Sequence, residues 1–149
     1  MNKIVAAVDF SAATDRVLRS AIGYAKAFGV PLEIVHVVFV PRDVVGGGML
    51  YLDEDKIRAD LERHAKSELA ACVEKTKGEG VAVTSQILSG HPELEIPRHC
   101  ESTKAGLLVL ATHGRTGLAH LLIGSVAEKV VRASKVPVLV VPAEPAKGK

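Results

Sequence analysis

Short apolar runs alternate along this chain with longer stretches in which apolar residues recur every three or four positions. The first run, Ile4-Val5-Ala6-Ala7-Val8 within Lys3 to Val8, reads as a central buried strand. Asp9-Phe10-Ser11 ends it, Ser11 suits an N-cap and Asp15 suits the first turn that follows. Leu18, Ala21, Ile22, Ala25 and Phe28 mark one face of that helix, which Gly29 stops and Pro31 keeps from returning. Leu32 to Val40 is a second strand, and His36 within it reads as a histidine satisfied by backbone or a neighbour. Pro41 to Leu52, with Gly46-Gly47-Gly48, is a loop whose length suits either disorder or a lid.

Asp53 to Lys77 follows as a long amphipathic helix, capped by Asp53. Ile57, Leu61, Ala65, Leu69, Cys72 and Val73 line its buried face, and its charges face water. Val81 to Leu88 alternates apolar and polar residues, as a strand near the sheet edge does. Pro92 opens the next helix at a position where its missing amide is harmless, and Pro97 is expected in or near the first turn. Leu107 to Leu110 is the fourth strand. A helix then starts at Gly124-Ser125, and Pro137 opens the last strand, Val138-Leu139-Val140-Val141. The order βαβαβαβαβ implies an α/β fold with a parallel sheet, right-handed crossovers and helices on both faces.

Length and composition narrow this picture. The 149 residues fit one domain, and a chain of this size buries about 68–70% of its unfolded surface. With 48% apolar but only 3% aromatic residues, its core is aliphatic. The net charge of +2 is small and the basic residues are dispersed, so neither a nucleic-acid nor a membrane partner is expected. Cys72 and Cys100 lie in no metal or redox spacing and read as buried thiols. The N-terminus lacks a signal-peptide pattern, and no apolar run approaches about 18 residues, which points to the cytoplasm.

The candidate chemistry lies between Leu107 and Val141. Ala111-Thr112-His113-Gly114-Arg115 follows an apolar run, and nine residues separate Gly114 from Gly124-Ser125. A glycine-marked loop at the carboxyl end of a buried strand, followed by a helix start, suits an anion: backbone approaches closely and free amides point at negative charge. Gly117 reads as a turn residue, and no acidic partner makes His113 or His120 a proton-transfer group. The pattern small-x-x-Gly-x9-Gly-Ser resembles the ATP-binding signature of the universal stress protein family, with Ala111 where that family usually has glycine.

The resemblance covers the whole chain and implies a Rossmann-like sheet of order 3-2-1-4-5, similar to adenine nucleotide alpha hydrolases. The crevice would open where strand order reverses, between the strands ending at Asp9 and Ala111. By resemblance Gly114, Arg115, Gly124, Ser125 and Val126 would hold phosphates, Asp9 would lie against the ribose with Ala7 and Val8 nearby, and Val37 would read the adenine edge. Gly90 matches a family turn near the same crevice. The bland alternatives are that Asp9 only caps the first helix with Ser11, and that Gly124-Ser125 is only a turn. The implied ligand is ATP, or ADP or AMP, with magnesium bridging the phosphates and no protein cage for the ion.

The implied role is a stress-response regulator that acts through conformation or an unknown protein partner, and that forms a homodimer through Val138–Val141. No residue is assigned a catalytic role, and hydrolysis would be slow at most. Two other readings stay open: an enzyme of adenylate chemistry, and a dimeric interaction module without nucleotide.

Overall fold

The computed structural model describes residues 1–40, 53–112 and 123–142. The elements alternate as β1 (Ile4–Ala7), α1 (Thr14–Phe28), β2 (Leu32–Val38), α2 (Glu54–Lys75), β3 (Val83–Ser89), α3 (Pro92–Ser102), β4 (Leu107–Ala111), α4 (Ser125–Ala133) and β5 (Val138–Val141). The strands form one parallel sheet in the order β3-β2-β1-β4-β5. β1 pairs with β2 on one side and β4 on the other, so the order reverses at β1 and β4, as expected.

Period-two alternation divides the core. Ile4, Ala6, Ile34 and Val109 pack with Val17, Leu18 and Ala21 of α1 and with Leu69 and Cys72 of α2. On the opposite face Val5, Val35, Leu108 and Leu110 meet Ile96 and Cys100 of α3 and Ala127 and Val130 of α4. Central strands covered on both faces must be apolar on both faces, which is why β1 and β4 read as unbroken runs. β3 is an edge, and its Thr84, Ser85 and Gln86 are exposed. β5 is the other edge, with Val138, Leu139 and Val140 half-buried.

Local expectations differ from the structure in four places. Ser11 is not the N-cap of α1. The helix starts at Thr14 after Ala13, while Ser11 Oγ accepts the Ala13 amide (3.3 Å) and its carbonyl accepts the Thr14 amide (3.0 Å). The serine organises the turn before the helix instead. Phe28 is 52% exposed and stacks on Tyr24, one turn earlier, because the buried face of α1 is filled by the smaller Ala21 and Ala25. Leu61 is 38% exposed at a cleft described below. Pro97 is the sixth residue of α3, beyond the first turn, so the Glu93 carbonyl gets no amide from it.

Other signals hold. Gly29 caps α1 at φ 64°, and Asp53 Oδ1 accepts the Asp55 and Lys56 amides at 3.1 and 3.3 Å. The Gly46–Gly48 loop lies outside the described residues.

Candidate functional site

In a parallel sheet all carboxyl ends lie on one edge, so the ends of β1, β2 and β4 face the same side. There the chain folds α4 back onto β4. The Gly124 amide donates to the Thr112 carbonyl (2.6 Å), and the Thr112 amide donates to the Val141 carbonyl beyond β4 (2.8 Å). Gly124 is the N-cap of α4 with φ −59° and ψ 153°, and Ser125 is the first helical residue. The first helical hydrogen bond is Glu128 to Gly124 (2.9 Å), so the amides of Ser125, Val126 and Ala127 have no helical acceptor. Ser125 and Val126 are exposed. These amides and the positive end of the helix dipole present a donor set that fits an anion.

Ala111 is the last residue of β4, paired with Val141. Among the described non-glycine residues, positive φ occurs at Phe10 and Lys104 and not at Ala111. Alanine is therefore unstrained where the family signature usually has glycine.

The turn after β1 is strained instead. Phe10 sits at φ 60°, in a left-handed conformation that costs a bulky residue about 1–2 kcal/mol. Two contacts hold it. Asp9 Oδ1 accepts the Ser11 amide (3.1 Å), and the Phe10 ring stacks on His36 with centroids 4.2 Å apart. His36 Nδ1 donates to the Val8 carbonyl (2.8 Å), which ties the end of β2 to the end of β1. His36 is thus satisfied by backbone, as its position in an apolar run suggests. Asp9 does tighten the turn after β1, and it also lines a cleft.

That cleft, of about 240 Å³, runs from the ends of β1 and β2 to α2. Asp9, Phe10, His36, Val37 and Phe39 line its sheet side, and Leu61, His64 and Ala65 line its helix side. The His64 ring stands edge-on to Phe10, with centroids 6.5 Å apart. Val37 and Val8 are buried, and Ala7 is half-buried at the end of β1. Gly90, at φ 134°, donates its amide to the Val38 carbonyl (3.0 Å), and a Cβ there would stand 3.0 Å from Glu95 Cγ. Phe10, Phe39 and His64 were not singled out from the sequence. For His64 a signal existed, since Leu61, His64 and Ala65 share one helical face; for Phe10 the backbone conformation that matters leaves no sequence trace.

Two other polar regions have different characters. A larger surface cleft of about 390 Å³ separates α1 from the end of α2, but ion pairs Lys75–Asp15 (2.7 Å) and Lys26–Glu79 span it. At the amino edge of the sheet, Glu33 Oε2 accepts both Lys3 Nζ (2.9 Å) and His99 Nε2 (3.0 Å). Burial opposes the Glu33 charge, but these two donors and their charges outweigh it and hold the carboxyl below its ordinary value. Cys100 nearby is fully buried, and burial together with the Glu33 charge pushes its thiol up to about 12. Cys72 is buried as well, and both thiols are free. Among the described residues no group of three or more His, Cys, Asp or Glu could hold a metal ion, and no helix is long and apolar enough to cross a membrane.

The structure therefore brings Ala7, Val8, Asp9, Val37, Ala111, Gly124, Ser125 and Val126 to one edge of the sheet. Gly114 and Arg115, with His113, Gly117 and His120, lie outside the described residues. Residues 1–142 match the universal stress protein family. The chain belongs to that family. Universal stress protein MJ0531 of Methanocaldococcus jannaschii is 35% identical over 140 residues, 93% of this chain and 81% of that one. Among solved structures, protein MJ0577 superposes with a TM-score of 0.83 at 25% identity, covering 97% of this chain and 98% of that one. The universal stress protein of Archaeoglobus fulgidus, solved in complex with dAMP, is 29% identical with a TM-score of 0.64, covering 94% and 96% of the two chains.

Proposed function

We propose that this universal stress protein binds an adenine nucleotide, ATP or its di- or monophosphate, at the carboxyl edge of its sheet and acts as a regulator through that occupancy. The observation that carries the reading is the α4 start at Gly124-Ser125, tied back to the end of β4 by the 2.6 Å bond from Gly124 to Thr112. It puts amides with no helical acceptor on the same edge as the Asp9 turn and the Val37 cleft. The dAMP complex of the Archaeoglobus relative supports a nucleotide ligand. Phosphates would meet the Ser125 to Ala127 amides, the Ser125 hydroxyl, Gly114 and Arg115, and magnesium would be held through the phosphates. Asp9, Ala7 and Val8 would flank the sugar. Ala111 stands at this edge without backbone strain.

The test is to denature freshly purified protein and resolve the released small molecules by anion exchange, beside Gly124→Val. The Gly124 backbone angles are open to valine, and a thermal melt establishes that the variant is folded before its binding is compared. Stoichiometric adenine nucleotide from the native protein and none from the variant is the expected result. No nucleotide, and no binding on adding magnesium-ATP, would sink the reading.

The same protein is proposed to be a cytoplasmic homodimer. β5 is an apolar, half-buried edge strand, and a two-fold partner would cover it. Val140→Lys should convert dimer to monomer in sedimentation velocity, whereas an unchanged profile would rule this interface out.

A further inference from the structure

The two outermost strands of the sheet differ in what they leave open. The Leu32 amide donates to the Ala82 carbonyl (2.9 Å) and the Gly90 amide to the Val38 carbonyl (3.0 Å). Between these bonds β2 and β3 keep an unbroken parallel register, from Leu32 opposite Val83 to Val38 opposite Ser89. In a parallel ladder the bonds to one neighbour fall on alternate residues. Thr84, Gln86 and Leu88 therefore turn their amides and carbonyls to β2, and Val83, Ser85, Ile87 and Ser89 turn theirs away from the sheet. Among the described residues no hydrogen bond reaches those four from outside the ladder. β5 is the shorter edge. Its bonds to β4, from Leu108 to the Pro137 carbonyl and from Thr112 to the Val141 carbonyl, leave Val138 and Val140 facing outward between two prolines, Pro137 and Pro142, which have no amide proton.

A long open edge is a template for another strand, and folded proteins usually blunt it with charge, proline, a bulge or brevity. β3 has none of these. Its seven residues, Val83-Thr84-Ser85-Gln86-Ile87-Leu88-Ser89, carry no charge and no proline, and the register has no bulge. Thr84, Ser85, Gln86 and Ser89 are exposed. The open groups also read the same in both directions. An antiparallel copy turned about a two-fold axis at Gln86 sets Ser85 against Ile87 and Val83 against Ser89. All four outward residues then form hydrogen-bonded pairs, each pair exchanging two bonds. Gln86 meets its own counterpart across the axis, where two side-chain amides can satisfy each other. No charged side chain of the strand is set against its like. A foreign strand is selected by complementary charge, and this strand has none to offer.

We infer that β3 is a self-association edge, at which two copies of this chain pair antiparallel about Gln86. Backbone bonds between exposed strands replace bonds to water, so their net gain is modest. The contact is therefore weaker than one over the apolar β5, and it depends on concentration. Together with the β5 contact proposed above, two two-fold interfaces on opposite sides would extend one sheet through successive copies. Neither nucleotide nor the β5 contact is needed for the pairing at β3.

The test is sedimentation velocity of the full chain carrying Val140→Lys, which blocks β5, from about 10 µM to about 1 mM. Thermal melts establish that each variant is folded; if Val140→Lys is not, the same series in the native background reads the same doubling of mass. The monomer found at low concentration should give way to dimer as concentration rises. Adding Gln86→Lys or Gln86→Glu places like charges across the axis and should raise the dissociation constant about fivefold or more. An equimolar mixture of those two variants should associate at least as well as the parent. Ser85→Pro keeps every bond to β2, because the amide it removes points outward, and should abolish the association. A chain that stays monomeric over the whole range overturns the inference. So does association that both Gln86 variants leave unchanged, since the copies would then meet elsewhere, and so does a mixture no tighter than its components.

Discussion

The two edges of this parallel sheet are built on opposite principles. At the amino edge the chain satisfies itself. Glu33 is clamped by Lys3 and His99, the Ile4 amide donates to Pro31, the Leu32 amide to Ala82 and the Leu108 amide to Pro137. At the carboxyl edge, among the described residues, the first amides of α4 have no helical acceptor, and an exposed serine, a strained phenylalanine and an open cleft lie there too. Both edges carry polar groups, so polarity alone does not mark a site. The difference is whether those groups are matched within the fold. A buried carboxylate with two cationic or hydrogen-bonding partners has no capacity left for a ligand, whereas amides at a helix start keep theirs.

Three substitutions break or sharpen this contrast. Gly124→Val has the largest effect expected, a loss of adenine-nucleotide affinity of about a hundredfold or more, read by titration, with the melting temperature held. If it unfolded the protein instead, the carboxyl edge would be structural as well. Glu33→Gln should do the converse. Removing the shared carboxylate charge leaves Lys3 and His99 facing a neutral amide, and should cost about 2–3 kcal/mol in urea denaturation, with nucleotide affinity retained.

The acid limb follows from the same cluster. Glu33 titrates below its ordinary range when folded, so its contribution is complete above that range and is lost as pH falls through the folded value. A plot of stability against pH should therefore fall less steeply on the acid side in Glu33→Gln than in the native protein. An identical acid limb would mean that the clamp contributes nothing. The smallest effect is expected for Asp53→Ala, which removes the cap of α2 and should cost about 1 kcal/mol. Since Leu61, His64 and Ala65 lie about two to three turns further on, nucleotide affinity should stay as it was. A large loss of affinity would show that the helix start, and not only its cleft-facing side, belongs to the site.

Much of this was legible in the residues. Ile4 to Val8 and Leu107 to Leu110 are apolar on both faces, which only a doubly covered strand requires, and Val81 to Leu88 alternates as an edge strand does. Gly29, Asp53 and Gly124 mark helix ends through local backbone chemistry, and local chemistry is written in local sequence. The spacing from Gly114 to Gly124-Ser125 carried the family, and the match over residues 1–142 agrees with it.

Tertiary structure decided the rest. Whether Ala111 is strained depends on a φ that no neighbour in sequence dictates, and whether Leu61 or Phe28 is covered depends on what packs over them. The cleft joins Asp9 and Phe10 from one crossover to Leu61 and His64 from the next, and Glu33 finds Lys3 and His99 thirty and sixty-six residues away. Periodicity records which face of an element meets the core. It does not record which polar groups meet one another once the elements pack, because that pairing is set by the relative placement of whole helices and strands.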